Sequence, residues 1–267
     1  MGPPPASPSG PGTGSRPGLW IVGFLGGVGS GKSSAARALG KALSEADPGA
    51  PLRLLDADAE VGRILGDPET LKALEAAFGP GLRQPDGSLD RRALGARVFG
   101  DPAARSRLEA LLHPPVRRAL HQALQELEEA SRRSGRGAWA LLDVPLLLEG
   151  GLDALCDTLV HVETSAAERA RRSRERHGWS TEEWEAREAA QRPVEEKRTA
   201  ADAILSNEQG PEALAEACRE LAARLLRSRA GRPEVRPLAE RWPAWDRPPV
   251  RIPAPGPGRG RDAAPDA

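Results

Sequence analysis

The chain has 267 residues, enough for one large domain or for one core with insertions. Its 38 basic and 38 acidic residues cancel, so no global field draws it to nucleic acid or to a membrane surface. No apolar run approaches the ~18 residues of a membrane span, and Cys156 and Cys218 are too few and too far apart for a disulfide framework or a zinc site. A cytoplasmic protein, monomeric or weakly self-associating, is expected. Only Lys32, Lys41, Lys72 and Lys197 are lysines, so 34 of the 38 basic residues are arginines. That bias, with abundant Ala, Gly and Pro, reads as GC-rich coding and makes each single arginine a weak signal.

Residues 1–17 are rich in Pro, Gly and Ser without a period, the composition of a disordered extension. Leu19–Leu25 reads as a short buried strand, and Ser33–Leu43 as a helix. Between them, Gly26-Gly-Val-Gly-Ser-Gly-Lys-Ser33 matches the phosphate-binding pattern G-x-x-x-x-G-K-[ST] at every defined position. Four glycines permit positive φ, so successive N–H groups can converge on one anion, and the helix that follows adds its positive end. Lys32 is placed to reach the β- and γ-phosphates of a nucleotide, and the Ser33 hydroxyl to hold Mg²⁺.

Leu52–Leu55 is a second strand, ending in Asp56-Ala-Asp58. The insert from about residue 60 to 134 carries no strand signal. Asp67-Pro68 opens one helix, closed by Gly79, and Asp101-Pro102 opens another through Leu108, Leu111 and Leu112. The second helix is expected to break at His113-Pro114-Pro115 and to resume to about Glu129. Further strands follow at Trp139–Leu142, Thr158–Val162 and, weakly, Ala203–Ser206. Strands alternating with helices predict a parallel α/β sheet, with ligands beyond the carboxyl ends of its strands. Asp58, Asp143, the glycine loop and the segment after Val162 gather there.

Residues 165–200 are dense in charge: Arg169, Arg171, Arg172, Arg174 and Arg176, then Gly178 and a capping box at Ser180–Glu183. Two readings stand, a solvated helix face or a mobile lid whose arginines close over phosphates. In the lid reading Arg172 and Arg176 reach phosphate, while Arg169, Arg171 and Arg174 stay in solvent. Residues 228–267 turn Pro/Arg-rich and read as a flexible tail, with Trp242 and Trp245 able to pack back.

From about Trp20 to Leu226 the chain resembles the dephospho-coenzyme A kinases. The matching segments run in that family's order: the loop Gly26–Ser33, Leu55-Asp-Ala-Asp58, Gly87–Leu94, Val98-Phe99 and Leu112-His-Pro114 come first. They continue with Asp143-Val-Pro-Leu-Leu-Leu-Glu149, Ala190-Gln191, Glu195-Glu-Lys197, Ala201-Asp202 and Asn207. Three positions depart from it: Leu25 where Thr is usual, Leu148 where Phe is common, and Arg63 one residue late. The resemblance implies a P-loop fold like that of nucleoside monophosphate kinases over residues 18–227. That fold has a five-stranded parallel sheet flanked by helices, a helical coenzyme-A-binding domain (about 60–134) and a lid (about 165–200). It implies transfer of the ATP γ-phosphoryl to the ribose 3′-hydroxyl of dephospho-coenzyme A, with Mg²⁺. Gly27, Val28, Gly29, Ser30, Gly31, Lys32, Ser33 and Ser34 would contact ATP, with Arg172 and Arg176 in the lid. His113, Pro145 and Leu146 would lie on the substrate side.

A secondary hydroxyl is a poor nucleophile, and a carboxylate in hydrogen-bond reach can orient it and take its proton. Asp58 follows a strand read as neighbouring the loop, and Asp56, two residues earlier on the same side of an extended chain, competes with it for that role; the resemblance selects Asp58. Asp143 reads either as part of the Mg²⁺ shell or as a strand-end turn residue, and His113 either as a helix-end hydrogen bond or as a substrate contact. Another small-molecule P-loop kinase, for nucleosides or shikimate, is the nearest alternative. A guanine switch protein would need an [NT]-K-x-D motif, which the sequence lacks.

Overall fold

The computed structural model describes residues 18–231 and 235–242. The predicted N-terminal extension, residues 243–267 and Trp245 lie outside the described residues.

The strands β1 (Gly18–Leu25), β2 (Leu52–Asp56), β3 (Gly137–Asp143), β4 (Thr158–Glu163) and β5 (Ala203–Ser206) form one parallel sheet, in the order β2-β3-β1-β4-β5. Every expected strand is present. The near-continuous apolar runs of β1 and β3 follow from burial on both faces, the environment of a parallel sheet covered by crossover helices. Trp20, Val22 and Phe24 of β1 point to one face, where α1 (Lys32–Ala46) supplies Leu39 and Leu43, and α9 (Pro211–Gly231) supplies Leu214, Leu221 and Leu225. Leu19, Ile21 and Leu25 point to the other, against Leu120, Leu124 and Leu127 of α5 (Pro102–Ser134). Each such leucine contributes roughly 1.5–3 kcal/mol by leaving water.

The insert comprises α2 (Ala57–Ile64), α3 (Pro68–Phe78), α4 (Arg91–Val98) and the first half of α5. It has its own small core of Ile64, Leu71, Leu74, Leu82, Leu94 and Leu112. Asp67, Asp90 and Asp101 cap the starts of α3, α4 and α5 by accepting backbone N–H bonds. The expected break at His113 does not occur. The helix runs unbroken for 33 residues through Pro114 and Pro115. Two missing N–H donors and the ring clashes cost this turn several kcal/mol. Leu112 before the prolines belongs to the insert core and Leu120, Leu124 and Leu127 after them to the sheet core, so burial on both sides holds the helix together.

Beyond the sheet lie a 3₁₀ turn (Leu152–Leu155), α6 (Ala166–His177), α7 (Thr181–Ala189), α8 (Val194–Thr199) and α10 (Leu238–Arg241). The predicted tail therefore contains a docked piece. Leu238 is buried in the sheet core, and the Arg241 guanidinium donates to Asp157 at 2.7 Å and to the Leu155 carbonyl at 3.2 Å. Trp242 stacks on His121 at 4.0 Å. An apolar anchor and a charge partner in the domain account for the docking, which composition alone does not reveal.

Candidate active site

The glycine loop joins β1 to α1, and its shape is set from several sides. Gly26, Gly29 and Gly31 have φ of 150°, 85° and 87°, conformations that disfavour a side chain. Gly27 has no positive φ. It is glycine for space, since a Cβ there would lie 2.7 Å from Arg169 Nε and 2.8 Å from Glu188 Oε1. The Ser30 carbonyl accepts from the Thr164 hydroxyl at 3.0 Å and from the Asn207 side-chain amide at 2.9 Å. Those two residues follow β4 and β5, so two neighbouring strands pin the loop. The first intrahelical bond of α1 runs from Ala35 N–H to the Gly31 carbonyl, leaving the amides of Lys32, Ser33 and Ser34 without an earlier helical acceptor. This is the donor arrangement that binds phosphate at a helix start.

Lys32 folds back over the loop, donating to the carbonyls of Gly26 at 3.2 Å and Gly27 at 3.1 Å. Burial, and then the like charge of Lys197, bring its pKa down to about 8, against the opposing pull of Asp143, Glu188 and Glu149. Lys197 is itself buried, 3.3 Å from Glu149 and donating to Gln191 Oε1 at 2.7 Å.

Asp143 ends β3 in register with Asp56 at the end of β2. Its carboxylate is buried and accepts a hydrogen bond from the Ser33 hydroxyl. Burial raises its pKa, the Ser33 bond opposes that, and Asp56 adds to it. Among the described residues no three His, Cys, Asp or Glu side chains cluster as a metal cage. One carboxylate and one hydroxyl, both hard oxygen donors, fit Mg²⁺, which usually keeps waters and takes substrate phosphates as its remaining ligands.

Strand order changes the route by which Asp58 reaches the site. β2 does not neighbour β1, as the sequence reading assumed; β3 lies between them. Nor do Asp56 and Asp58 share one side of an extended chain. The strand ends at Asp56, whose side chain caps α2 by accepting from Ala59 N–H at 2.9 Å, and Asp58 stands in the first helical turn. Asp58 is exposed. Its pKa is raised by partial desolvation, then by Asp56 and Asp143, while Lys32 and Arg176 oppose. The candidate base, the candidate metal ligand, the loop lysine and one arginine of the charged unit thus share one electrostatic neighbourhood.

The charged unit divides differently from the expectation. Arg171 pairs with Glu168 and Glu175 and is exposed, as is Arg174. Arg172 donates to Glu168 at 2.7 Å and to the Asn207 carbonyl at 2.8 Å, beside the end of the loop. Arg176 is exposed, and its charge reaches Asp58. Arg169 is not solvated. It is buried against Gly27, donates to the Thr164 carbonyl at 3.0 Å and pairs with Glu188 at 2.6 Å. The absent Cβ of Gly27 makes room for it, a contact that a run of charges cannot disclose. Thr164, Asn207 and Glu188 were not singled out as site residues. Asn207 lay in a matching segment; Glu188 carried no signal.

Of the residues expected on the substrate side, His113 is exposed on α5, Pro145 is half-buried and Leu146 is 43% exposed in the turn after β3. A cavity of about 530 Å³ runs along the free edge of β2 between α2 and α5, bordered by Asp56, Arg63 and Glu126. Arg63 turns to Glu60 at 2.6 Å.

A parallel 2-3-1-4-5 sheet with a phosphate loop after its central strand, a helical insert and a charged helical unit over the loop defines an α/β kinase of the P-loop class. A family model for dephospho-CoA kinase matches residues 20–212. A dephospho-CoA kinase of Anaeromyxobacter dehalogenans is 42% identical over 215 residues, covering 79% of this chain and 95% of that protein. Another, of Geobacillus kaustophilus, is 37% identical over 70% of this chain and 87% of its own length. A crystal structure from Thermus thermophilus superposes with a TM-score of 0.60 at 37% identity, covering 78% of this chain and 97% of that one. The chain belongs to the dephospho-CoA kinase family, whose members catalyse the last step of coenzyme A biosynthesis. Among the described residues no helix is long and apolar enough to cross a membrane.

Proposed function

We propose that this chain transfers the γ-phosphoryl of ATP to the ribose 3′-hydroxyl of dephospho-coenzyme A, giving coenzyme A and ADP, as a cytoplasmic monomer or weak homo-oligomer. The observation that carries the reading is the shared neighbourhood of Asp58, Asp143, Lys32 and Arg176 at the carboxyl ends of β1–β3. The loop amides from Gly27 to Ser34 hold the β- and γ-phosphates. The Lys32 ammonium leaves the Gly26 and Gly27 carbonyls to meet charge that grows on the transferring group. Ser33 and Asp143 would hold Mg²⁺, which when bound neutralises phosphate charge.

Asp58 accepts the 3′-hydroxyl proton as the new O–P bond forms and the bond to the ADP oxygen breaks. Its pKa is raised by partial desolvation and then by Asp56 and Asp143, which makes it a better proton acceptor than an ordinary surface carboxylate. Arg172 and Arg176 close over the phosphates and exclude water; His113, Pro145 and Leu146 border the acceptor. A coupled ADP-release assay with dephospho-coenzyme A, against a panel of nucleosides and shikimate, tests the assignment. Turnover is expected with dephospho-coenzyme A alone, and a preference for a nucleoside would refute the acceptor.

A further inference from the structure

Helix α7 grips the phosphate loop at one residue. The Trp184 indole N–H donates to the Val28 carbonyl at 3.1 Å, and the Val28 N–H donates to Glu188 Oε2 at 2.8 Å. Trp184 and Glu188 are four apart, so one helix face makes both contacts. The second oxygen of Glu188 accepts from Arg169 at 2.6 Å, and that guanidinium lies over the Trp184 ring at 5.7 Å. Arg169 is 7% exposed, and its Nε–H, against the loop at Gly27, has no acceptor among the described residues. The negative charge of Glu188 also reaches Lys32. A loop built of anion donors therefore already holds an anion from its own chain.

We propose that Glu188 is a positioning residue that stands in for nucleotide phosphate: it occupies the Val28 amide and Arg169 in the nucleotide-free enzyme and is exchanged for ATP, thereby setting ATP affinity. The proposal rests on the nucleotide reading of the loop. A carboxylate and a triphosphate repel, and they compete for one loop amide, one guanidinium and the field of Lys32. Exchange releases Arg169, whose unsatisfied Nε–H then has a phosphate oxygen within its reach. When the nucleotide leaves, Glu188 re-engages Val28, so that amide is not left without an acceptor. A plain structural tie predicts the opposite sign, because losing it would loosen the loop and weaken nucleotide binding.

The test measures ATP and pyrophosphate dissociation constants by calorimetry, with KM for ATP, kcat and Tm, for wild type, Glu188→Gln and Glu188→Ala. Both substitutions are expected to tighten ATP and pyrophosphate by about fivefold or more, and to lower KM for ATP more than they alter kcat. Glu188→Ala keeps a strong helix former at a partly exposed site, so it serves if the glutamine variant folds poorly. Unchanged or weaker binding of both anions by a variant with wild-type Tm overturns the proposal. Wild-type ATP binding that disappears in Lys32→Ala secures the underlying reading separately. Wild type that binds no ATP overturns both.

Discussion

The two halves of the site are built to different standards. On the nucleotide side, the loop is fixed by Thr164 and Asn207 on the Ser30 carbonyl and by Trp184 and Glu188 on Val28. Packing is so close that a Cβ at Gly29 would lie 2.5 Å from the Arg169 carbonyl, and one at Gly31 would collide with the Asn207 side-chain amide. On the acceptor side, Asp58 stands exposed in a first helical turn, His113 faces solvent, and the insert exposes Phe99 at 80%. On the proposed reading, folding alone sets the phosphate geometry, whereas the acceptor geometry is left for the acceptor to complete. That division suits a kinase, since an enzyme complete without its acceptor would spend ATP on water.

The contrast can be broken first through stability. Glu149 is buried, accepts from Arg192 N–H at 2.8 Å and faces the buried ammonium of Lys197. Glu149→Ala strands that charge and should cost about 3–5 kcal/mol in denaturant unfolding. On the exposed acceptor side His113→Ala should cost less than ~0.5 kcal/mol. Similar losses at both would erase the distinction.

Lys32→Ala should lower kcat/KM by about 3 kcal/mol in equivalent barrier. A smaller signature lies in the pH profile of the wild type. Lys32, held to about 8, loses its charge as pH rises through that value, so kcat/KM for ATP should fall there. Asp58 has a raised pKa, so protonation disables it at a higher pH than an ordinary carboxylate, and activity should fall as pH drops through that point. A profile without a basic limb near pH 8 would remove the Lys32 assignment, an acid limb no higher than that of an ordinary carboxylate would remove the Asp58 assignment, and loss of the basic limb alone in Lys32→Ala would sharpen the first.

Much of this was legible in the sequence where local rules govern. The phosphate loop, all five strands, the N-caps Asp67 and Asp101 and the capping box at Ser180–Glu183 follow from motif, apolar run and cap chemistry. What failed was set by tertiary partners. Helix α5 continues through Pro114–Pro115 because two separate cores hold it. Arg169 is buried because Gly27 leaves space 142 positions away in the chain, and Arg241 docks because Asp157 awaits it. Strand order was equally hidden. Nothing in the run of residues places β3 between β1 and β2, and that insertion puts Asp143, rather than Asp58, on the strand beside the loop.

The most direct test of two separable halves is kcat together with ATP affinity in Asp58→Asn, with Asp56→Asn beside it. Asparagine keeps the shape of Asp58 and removes its proton acceptor, so kcat should fall by roughly 10²–10⁴. ATP affinity should be retained, because the loop is held without Asp58. Asp56→Asn should be mild, since asparagine also caps a helix. An Asp58→Asn enzyme with near wild-type kcat, or one that loses ATP along with turnover, would contradict the account.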